Sequence, residues 1–198
     1  MIQFRRLAAL LIGAWLAGSL LMDVAAIANF SSIDRFLSDP GIQSAELIHG
    51  AGHDTVRTLM RRGAAEASGW LFEQWEWVQI ITGLALLLVF IFGSRPPKIP
   101  MALCIFMLGI VLVERFALTP SIVRLGRIVD FLSPGESSPD RKLFEMYHSA
   151  YTALDLVKLV SGFAISAILI IRTRPDPQMF AREAELALEV APTRRPAR

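Results

Sequence analysis

Six ionisable side chains have the types and the spacing that could form a metal site in a helical bundle. They are Asp23, Glu73, Glu76, Glu114, Glu145 and His148. Glu73 and Glu76 are three residues apart, as are Glu145 and His148, so each pair shares one face of a helix. Soluble di-iron bundles combine two Glu-x-x-His pairs with one Glu from each of two other helices. The chemistry that this set predicts is the binding of a hard or borderline divalent metal ion as cofactor.

The set departs from the di-iron pattern in two places. Glu76 stands where those bundles have a His, and residue 23 is an Asp. Acidic residues at the end of a membrane span are also commonly solvated, and Glu114 beside Arg115 can form an ordinary ion pair. A metal site and a structural, ion-paired cluster are therefore both open interpretations.

A second group of polar residues follows the fourth apolar run of the chain. Tyr151, Thr152, Asp155 and Lys158 come after His148, and a rotation of about 100° per residue predicts that they form one stripe. A single charge at mid-bilayer costs about 2.5–3.5 kcal/mol on insertion scales. Asp155 and Lys158 are three residues apart and can offset that cost by pairing. The stripe is predicted to face the bundle interior, where it packs helices, holds a ligand or conducts protons.

The elements that must position these residues are membrane-spanning helices. Of the 198 residues, 54% are hydrophobic and 19% are charged. Four apolar runs approach the length of about 20 residues that crosses a hydrocarbon core. The predicted spans cover about 4–27, 75–93, 100–118 and 147–171. The predicted fold is all-α, a multi-pass four-helix bundle made of two hairpins in a lipid bilayer.

Two further segments complete the predicted organisation, in which residues 1–174 form the membrane domain. An amphipathic pattern over about 43–70 predicts an outer helix that lies on the membrane surface or caps the bundle. Residues 175–198 are predicted to form a cytoplasmic tail. The first span has an alternative as a cleaved signal peptide, because its apolar stretch ends in Ala26-Ile27-Ala28.

The charge distribution predicts the orientation and limits the function. If both termini are cytoplasmic, one side of the membrane holds the span-flanking basic residues Arg5, Arg6, Arg95, Lys98, Arg172 and Arg174. This predicts a bacterial inner-membrane protein. The net charge of +2 does not indicate a nucleic-acid partner, and the one cysteine, Cys104, forms no disulfide within the chain. Because no phosphate-binding loop, CxxC, HExxH or nucleophile elbow occurs, the sequence does not favour an enzyme.

Short similarities between the two halves predict a parallel internal repeat. Leu71-Phe72-Glu73 aligns with Leu143-Phe144-Glu145. A glycine precedes Asp23 by five residues, and another glycine precedes Glu114 by the same number. Parallel repeats occur in membrane bundles. Two hairpins of the same orientation would place the six candidate ligands in one layer at the outer end of the bundle.

The third and fourth spans resemble an uncharacterised four-helix membrane family, the one that includes eukaryotic transmembrane protein 205. The resemblance is carried by "RFALTPSIVRLGR" and "FEMYHSAYTALDLVKLVSG", and more loosely by "FEQWEWVQIITG" and by Trp15 with Gly18. It implies a small integral membrane protein with a polar core and no enzyme activity. This chain departs from the family at Asp155, where Asn is common, and in its long outer helix. A more distant likeness to copper-resistance membrane domains implies a metal.

Two functions remain as alternatives. The first is a membrane protein with an inward-facing polar and acidic site that handles a metal ion or protons. The second is a structural or accessory subunit of a membrane complex, which binds a protein partner or forms a homo-oligomer. A membrane enzyme is the least favoured function, because the sequence contains no nucleophile or cofactor motif.

Overall fold

The computed structural model describes residues 2–93, 98–129 and 138–171, and within these ranges all regular elements are helices. The elements are α1 (Ile2–Ser38), α2 (Ile42–Ala51), α3 (His53–Phe92), α4 (Lys98–Val113), a π-helical segment (Glu114–Leu118), α5 (Thr119–Val129) and α6 (Pro139–Ile171). Four described stretches are long and apolar enough to cross a membrane: Gln3–Ser38, His53–Phe92, Lys98–Val129 and Pro139–Ile171. The predicted all-α, multi-pass fold is confirmed.

The four long stretches pack as a bundle in which α1 contacts α3 and α6, and α4 contacts the same two helices. Neighbours are antiparallel, because the start of α1 and the start of α4 share one apolar core with the ends of α3 and α6. That core is called the apolar seal: Ala8, Ile12, Trp15, Leu16, Leu86, Phe90, Cys104, Met107, Leu108, Val111, Ile165 and Leu169. At the end of the bundle where α1 begins, Arg5 Nη2 donates a hydrogen bond to the Leu169 carbonyl at 3.1 Å.

Two glycines let bulky side chains approach a neighbouring backbone. A Cβ atom on Gly83 would lie 2.5 Å from Leu108 Cδ2 and 2.7 Å from Trp15 Cζ3. The ring of Trp75 occupies the space that a Cβ atom on Gly18 would need. Small residues at helix interfaces permit this close packing in membranes. The contacts of Trp15 and Trp75 hold α1 tightly against α3, the helix that carries Glu76, and Leu108 packs α4 against the same helix.

Beyond the bundle, residues 28–70 form a helical extension made of the end of α1, α2 and the first part of α3. α1 and α3 contain 37 and 40 residues, or roughly 55–60 Å at 1.5 Å per residue. That exceeds the hydrocarbon thickness of about 30 Å. The extension has its own apolar cluster of Ile33, Leu37, Ile48 and Ala64.

The extension differs from the outer amphipathic helix predicted over 43–70. The chain forms the short helix α2 and then continues from His53 directly into the second span. Gly52 has φ +86°, a conformation that glycine adopts without a steric penalty, and it separates the two helices. After it, no proline interrupts the helix before Phe92. The amphipathic face therefore packs on α1 rather than forming a separate surface helix.

The third and fourth spans also extend beyond their predicted ends. Pro120 has no N–H to donate to the Phe116 carbonyl. The helix instead takes a π-helical register over Glu114–Leu118, where the Thr119 N–H bonds to the Glu114 carbonyl, and then continues to Val129. α6 begins at Pro139, capped by a hydrogen bond from the Arg141 N–H to Ser138 Oγ at 3.1 Å. Arg95, Arg172, Arg174 and the predicted tail at 175–198 lie outside the described residues.

Candidate functional site

A buried ionic network lies between the four helices, with Lys158 at its centre. Lys158 Nζ lies 2.5 Å from Glu114 Oε2, 2.8 Å from Asp155 Oδ1 and 3.2 Å from Gln79 Oε1. A protonated amine has three N–H donors, and here each donor has an acceptor. The Lys158 side chain is 2% exposed. The predicted Asp155–Lys158 pair is therefore present, but Glu114 on the π-helical segment is the nearer carboxylate.

Glu76 forms a second branch of the network, and its side chain is fully buried. Its Oε1 accepts hydrogen bonds from the Thr119 hydroxyl and, at 3.3 Å, from the Tyr151 hydroxyl. Arg115 Nη1 lies 3.9 Å from Glu76 Oε2, and the Arg115 guanidinium also lies over the Trp77 ring, 5.4 Å from its centroid. Glu76 is thus contacted by donors from the π-helical segment, α5 and α6.

The π-helical register explains why Glu114 and Thr119 both reach the network. Residues five apart form the hydrogen bonds of a π-helix, so they lie close to one face of it. In a regular α-helix, five residues would separate the two side chains by about 140°. Single π-turns inside α-helices occur frequently at functional sites.

α1 joins the network through Ser19. Gln79 Nε2 donates a hydrogen bond to Ser19 Oγ at 3.2 Å, while Gln79 Oε1 accepts from Lys158. One turn further along α1, the half-buried Asp23 lies close enough to Asp155 and Lys158 to interact with their charges. All four helices of the bundle therefore contribute to the site.

The network contains more carboxylates than cations. Among the described residues, the cations that form ion pairs with Glu76, Glu114 and Asp155 are Lys158 and Arg115. Glu114 Oε1 is buried and has no hydrogen-bond partner among the described residues. An unpaired charge in a low-dielectric interior is strongly unfavourable. If every group were ionised, one negative charge would remain uncompensated, before the half-buried Asp23 is counted.

The network is separated from one end of the bundle by the apolar seal. Gln79 and Lys158 each lie thirteen residues before the last residue of their helix, Phe92 and Ile171. That distance is roughly 20 Å at 1.5 Å per residue. The network therefore lies inside the hydrocarbon region, nearer to the side from which the extension projects.

The structure brings together some of the predicted site residues and leaves others outside. Glu76, Glu114, Tyr151, Asp155 and Lys158 belong to the network, and Asp23 lies at its rim. Glu73 is half-buried on α3 and makes no recorded contact with the network, and Glu145 is exposed.

His148 and Thr152 are also exposed, although they were predicted to lie on the inward stripe. The His148 ring stacks on Phe144 with centroids 5.8 Å apart, and the Thr152 hydroxyl donates to the His148 carbonyl at 3.0 Å. At about 100° per residue, Thr152 lies roughly 120° and His148 roughly 80° from the direction of Lys158. Tyr151 lies only about 20° away, which explains why it faces inward.

The predicted metal centre is not assembled. Over the ranges 2–93, 98–129 and 138–171, no three His, Cys, Asp or Glu side chains are grouped so that they could hold a metal ion. Glu76 and Glu114 face Arg115 and Lys158 instead, and the one nitrogen ligand of the predicted set, His148, is exposed.

Sequence reasoning missed Gln79, Ser19 and the hydroxyl of Thr119 as members of the site. Gln79 lies three residues after Glu76 inside an apolar run, and a polar residue at that depth is itself a signal of a functional or packing role. Thr119 precedes Pro120, which marks a local change of helix register. Ser19 carries no such signal, because serine is common in membrane helices.

The fold and the site define a multi-pass, all-α membrane protein with a buried ionic network at the centre of a four-helix bundle. Comparison of the chain with protein families, with curated proteins and with solved structures gave no match. The resemblance to the family that includes transmembrane protein 205 therefore stays a prediction.

Proposed function

We propose that this protein binds and releases a proton within the membrane, and that Glu114 carries the proton. The observation that supports this function is the charge imbalance around Lys158, which contacts two carboxylates, Glu114 and Asp155. On the second branch of the network, Arg115 is the counter-ion of Glu76, 3.9 Å away. A proton on Glu114 neutralises the excess charge beside Lys158, whereas Glu76, whose Oε2 also lacks a hydrogen-bond partner among the described residues, has Arg115 as its counter-ion.

The position of Lys158 favours a proton over a metal ion. A divalent ion bound to Glu114 and Asp155 would lie beside the ammonium group, which contacts both carboxylates already. Like charges at that separation repel strongly in a low-dielectric interior. A proton bonds covalently to one oxygen and needs no coordination sphere, so it fits this arrangement.

The direct test is infrared spectroscopy of the protein in lipid, which detects the C=O stretch of a protonated carboxyl group. We expect this band at neutral pH and expect its loss in Glu114→Gln. Asp34→Asn, which changes an exposed aspartate of the extension, should leave the band unchanged. A spectrum without the band, or a band that persists in Glu114→Gln, would refute the proposal.

A titration with added cations distinguishes proton binding from the binding of a metal ion. At constant pH, added Na⁺ or a divalent metal ion should not remove the protonated-carboxyl band. If one of these ions removes the band and is retained by the purified protein, the site binds that cation instead. His148→Ala should have no effect in either case, because the imidazole lies outside the network.

An accessory-subunit role is the alternative, and the exposed apolar residues of α2 favour it. Ile42 and Leu47 are 86% and 75% exposed in the part of the extension that lies beyond the membrane. An accessory subunit should aggregate or lose helicity when it is purified alone, whereas a self-contained proton-binding protein should remain monodisperse. Ile42→Ser with Leu47→Ser should correct the aggregation only if this surface causes it.

We also propose that the protein lies in a bacterial inner membrane with both termini in the cytoplasm. Arg5, Arg6 and Lys98 are at the same end of the bundle, opposite the extension, which supports this orientation. A reporter fused after Gly93 should be active only in the cytoplasm, and a periplasmic signal there would reverse the orientation. We also retain the proposal that the chain belongs to the family that includes transmembrane protein 205. Thr119 and Pro120 carry part of that resemblance. Thr119 closes the π-helical turn and donates a hydrogen bond to Glu76, and Pro120 lacks the N–H of a regular α-helix.

A further inference from the structure

The two ends of the bundle differ in how they connect the network to water. Towards the start of α1, the network is followed by the apolar seal, whose members are all buried. The hydroxyls of Ser161 and Ser166 next to the seal donate to carbonyls of their own helix, and Cys104 Sγ contacts the Gly83 carbonyl at 3.5 Å. Between the network and that end, the described residues therefore contain no chain of side chains that could relay a proton.

The opposite end has carboxylates that become more exposed with distance from Glu114. Glu114 is fully buried, whereas the Asp155 side chain is 16% exposed and contacts the same Lys158 amine. Asp23 is half-buried on α1, one turn beyond Ser19 and so on the same side of the network as Asp155. Together these carboxylates form a path between α1 and α6, along which exposure to solvent increases from Glu114 towards the extension.

We propose that the site exchanges its proton with only one side of the membrane, the side of the extension, and that Asp155 is the relay group. This inference rests on the proposed function, because it assigns a route to the proton that Glu114 carries. Within the ranges 2–93, 98–129 and 138–171, the ionisable groups at the network are Asp23 from α1, Glu76 from α3, Glu114 and Arg115 from the π-helical segment, and Tyr151, Asp155 and Lys158 from α6. The basic residues of α5, Arg124 and Arg127, are exposed.

The relay conserves charge at each step. A hydronium ion on the extension side gives a proton to the Asp155 carboxylate and becomes water. Lys158 Nζ passes one of its protons to Glu114 Oε2, 2.5 Å away, and regains one from Asp155 Oδ1, 2.8 Å away. The net result is a protonated Glu114, an ionised Asp155 and an unchanged ammonium group. The reverse sequence returns the proton to the same side.

A site that equilibrates with one compartment responds to the pH of that compartment and does not conduct protons across the membrane. The test uses the full chain in proteoliposomes, oriented by an epitope tag in the turn at Pro40-Gly41. The pH is changed on one side at a time while the infrared band of the Glu114 carboxyl group is recorded. We expect the band to follow the pH on the extension side and to ignore the pH on the other side.

The possible outcomes distinguish this inference from the proposed function. A band that follows the opposite side, or both sides, overturns one-sided exchange while Glu114 still binds a proton. A Glu114 carboxyl group that responds to neither side refutes the proposed function and this inference with it.

Substitution of the relay group tests the route. Asp155→Asn removes one of the two carboxylates beside Lys158, so Glu114 should take up its proton only at a lower pH. Within that lower pH range, the response of Glu114 should be about 100-fold slower than in the unmodified protein, the lower range of what a positioned acid–base group contributes. Asp23→Asn should slow it less, and it provides a second variant if Asp155→Asn does not fold. Asp34→Asn is the matched control and should respond at the rate of the unmodified protein. An unchanged rate in both Asp155→Asn and Asp23→Asn would overturn the relay.

Discussion

Two ionic clusters in this molecule share one arrangement, a single ion between two counter-ions, in different surroundings. In the extension, Asp34 Oδ1 lies between two arginines of α3, and the nearer one, Arg61, is 3.2 Å away. In the bundle, Lys158 lies 2.5 Å from Glu114 and 2.8 Å from Asp155. The Asp34 side chain is 52% exposed, whereas the Lys158 side chain is 2% exposed.

The difference in burial decides what each cluster does with its excess charge. Water and dissolved salt solvate the additional positive charge around Asp34, so the cluster is stable as it is and contributes little. The additional negative charge around Lys158 is largely removed from water, because Glu114 is fully buried and the Asp155 side chain is 16% exposed. Removing an ion from water costs several kcal/mol. Similar contact geometry therefore gives a solvated surface ion pair in one region and, in the other, the buried network that we propose as a proton-binding site.

Removal of the central ammonium group should have the largest effect. Lys158→Met leaves the Asp155 carboxylate without its counter-ion and Glu114 without its contact to the amine, and breaking a buried pair typically costs about 3–5 kcal/mol. We expect a loss of that size in the free energy of unfolding, measured by denaturant titration in detergent micelles. The loss should persist at high salt, because buried charges are screened weakly.

The control for this prediction removes the charges that Lys158→Met leaves behind. The triple variant Lys158→Met, Glu114→Gln, Asp155→Asn should recover much of the lost stability. Lys158→Met with Asp155→Asn alone should recover nearly as much, since the proposed proton on Glu114 leaves that group neutral. Equal unfolding midpoints for the unmodified protein and Lys158→Met would show that the network does not stabilise the bundle.

The sequence was sufficient to predict the fold class and part of the site. Long apolar runs identified four spans, because only helices or closed barrels satisfy the backbone in lipid. The spacing of Asp155 and Lys158 identified a buried pair, because two charges in one apolar run must compensate each other. The helix ends were predicted less well, since an amphipathic helix and a span that follow each other without a breaker give one continuous helix.

The identity of the partners across helices could not be read from spacing. Spacing alone places Glu76 and His148 at matching positions of the two hairpins, yet Glu76 is buried and His148 is exposed. The difference depends on how each helix is rotated in the bundle. The π-helical segment changes the helix register, so that the side chains of Glu114 and Thr119 lie on the same face. This change of register is visible in the structure and not in the spacing of the residues.

Loss of one neutral donor in the bundle should have an intermediate effect. Thr119→Val keeps the shape of the side chain and removes its hydrogen bond to the buried Glu76. Leaving a buried acceptor without its donor costs about 1–3 kcal/mol. Ser121→Ala is the matched control, because the Ser121 hydroxyl only donates to the Ala117 carbonyl of its own helix, at 2.9 Å. If both variants unfold at the same denaturant concentration, the Thr119 hydroxyl does not stabilise Glu76.

The smallest effect is expected in the extension. Asp34→Asn removes the carboxylate between the two arginines, and exposed ion pairs contribute about 0–1 kcal/mol. The removal also leaves two like charges near each other, but they stay solvated and are screened within about 10 Å at 0.1 M salt. We therefore expect a small loss of stability at low salt that disappears at high salt, measured by the same denaturant titration. A loss as large as that of Lys158→Met, or one that salt does not reduce, would show that burial does not separate the two clusters. A small, salt-dependent loss would instead support burial as the property that distinguishes the bundle network from the surface cluster.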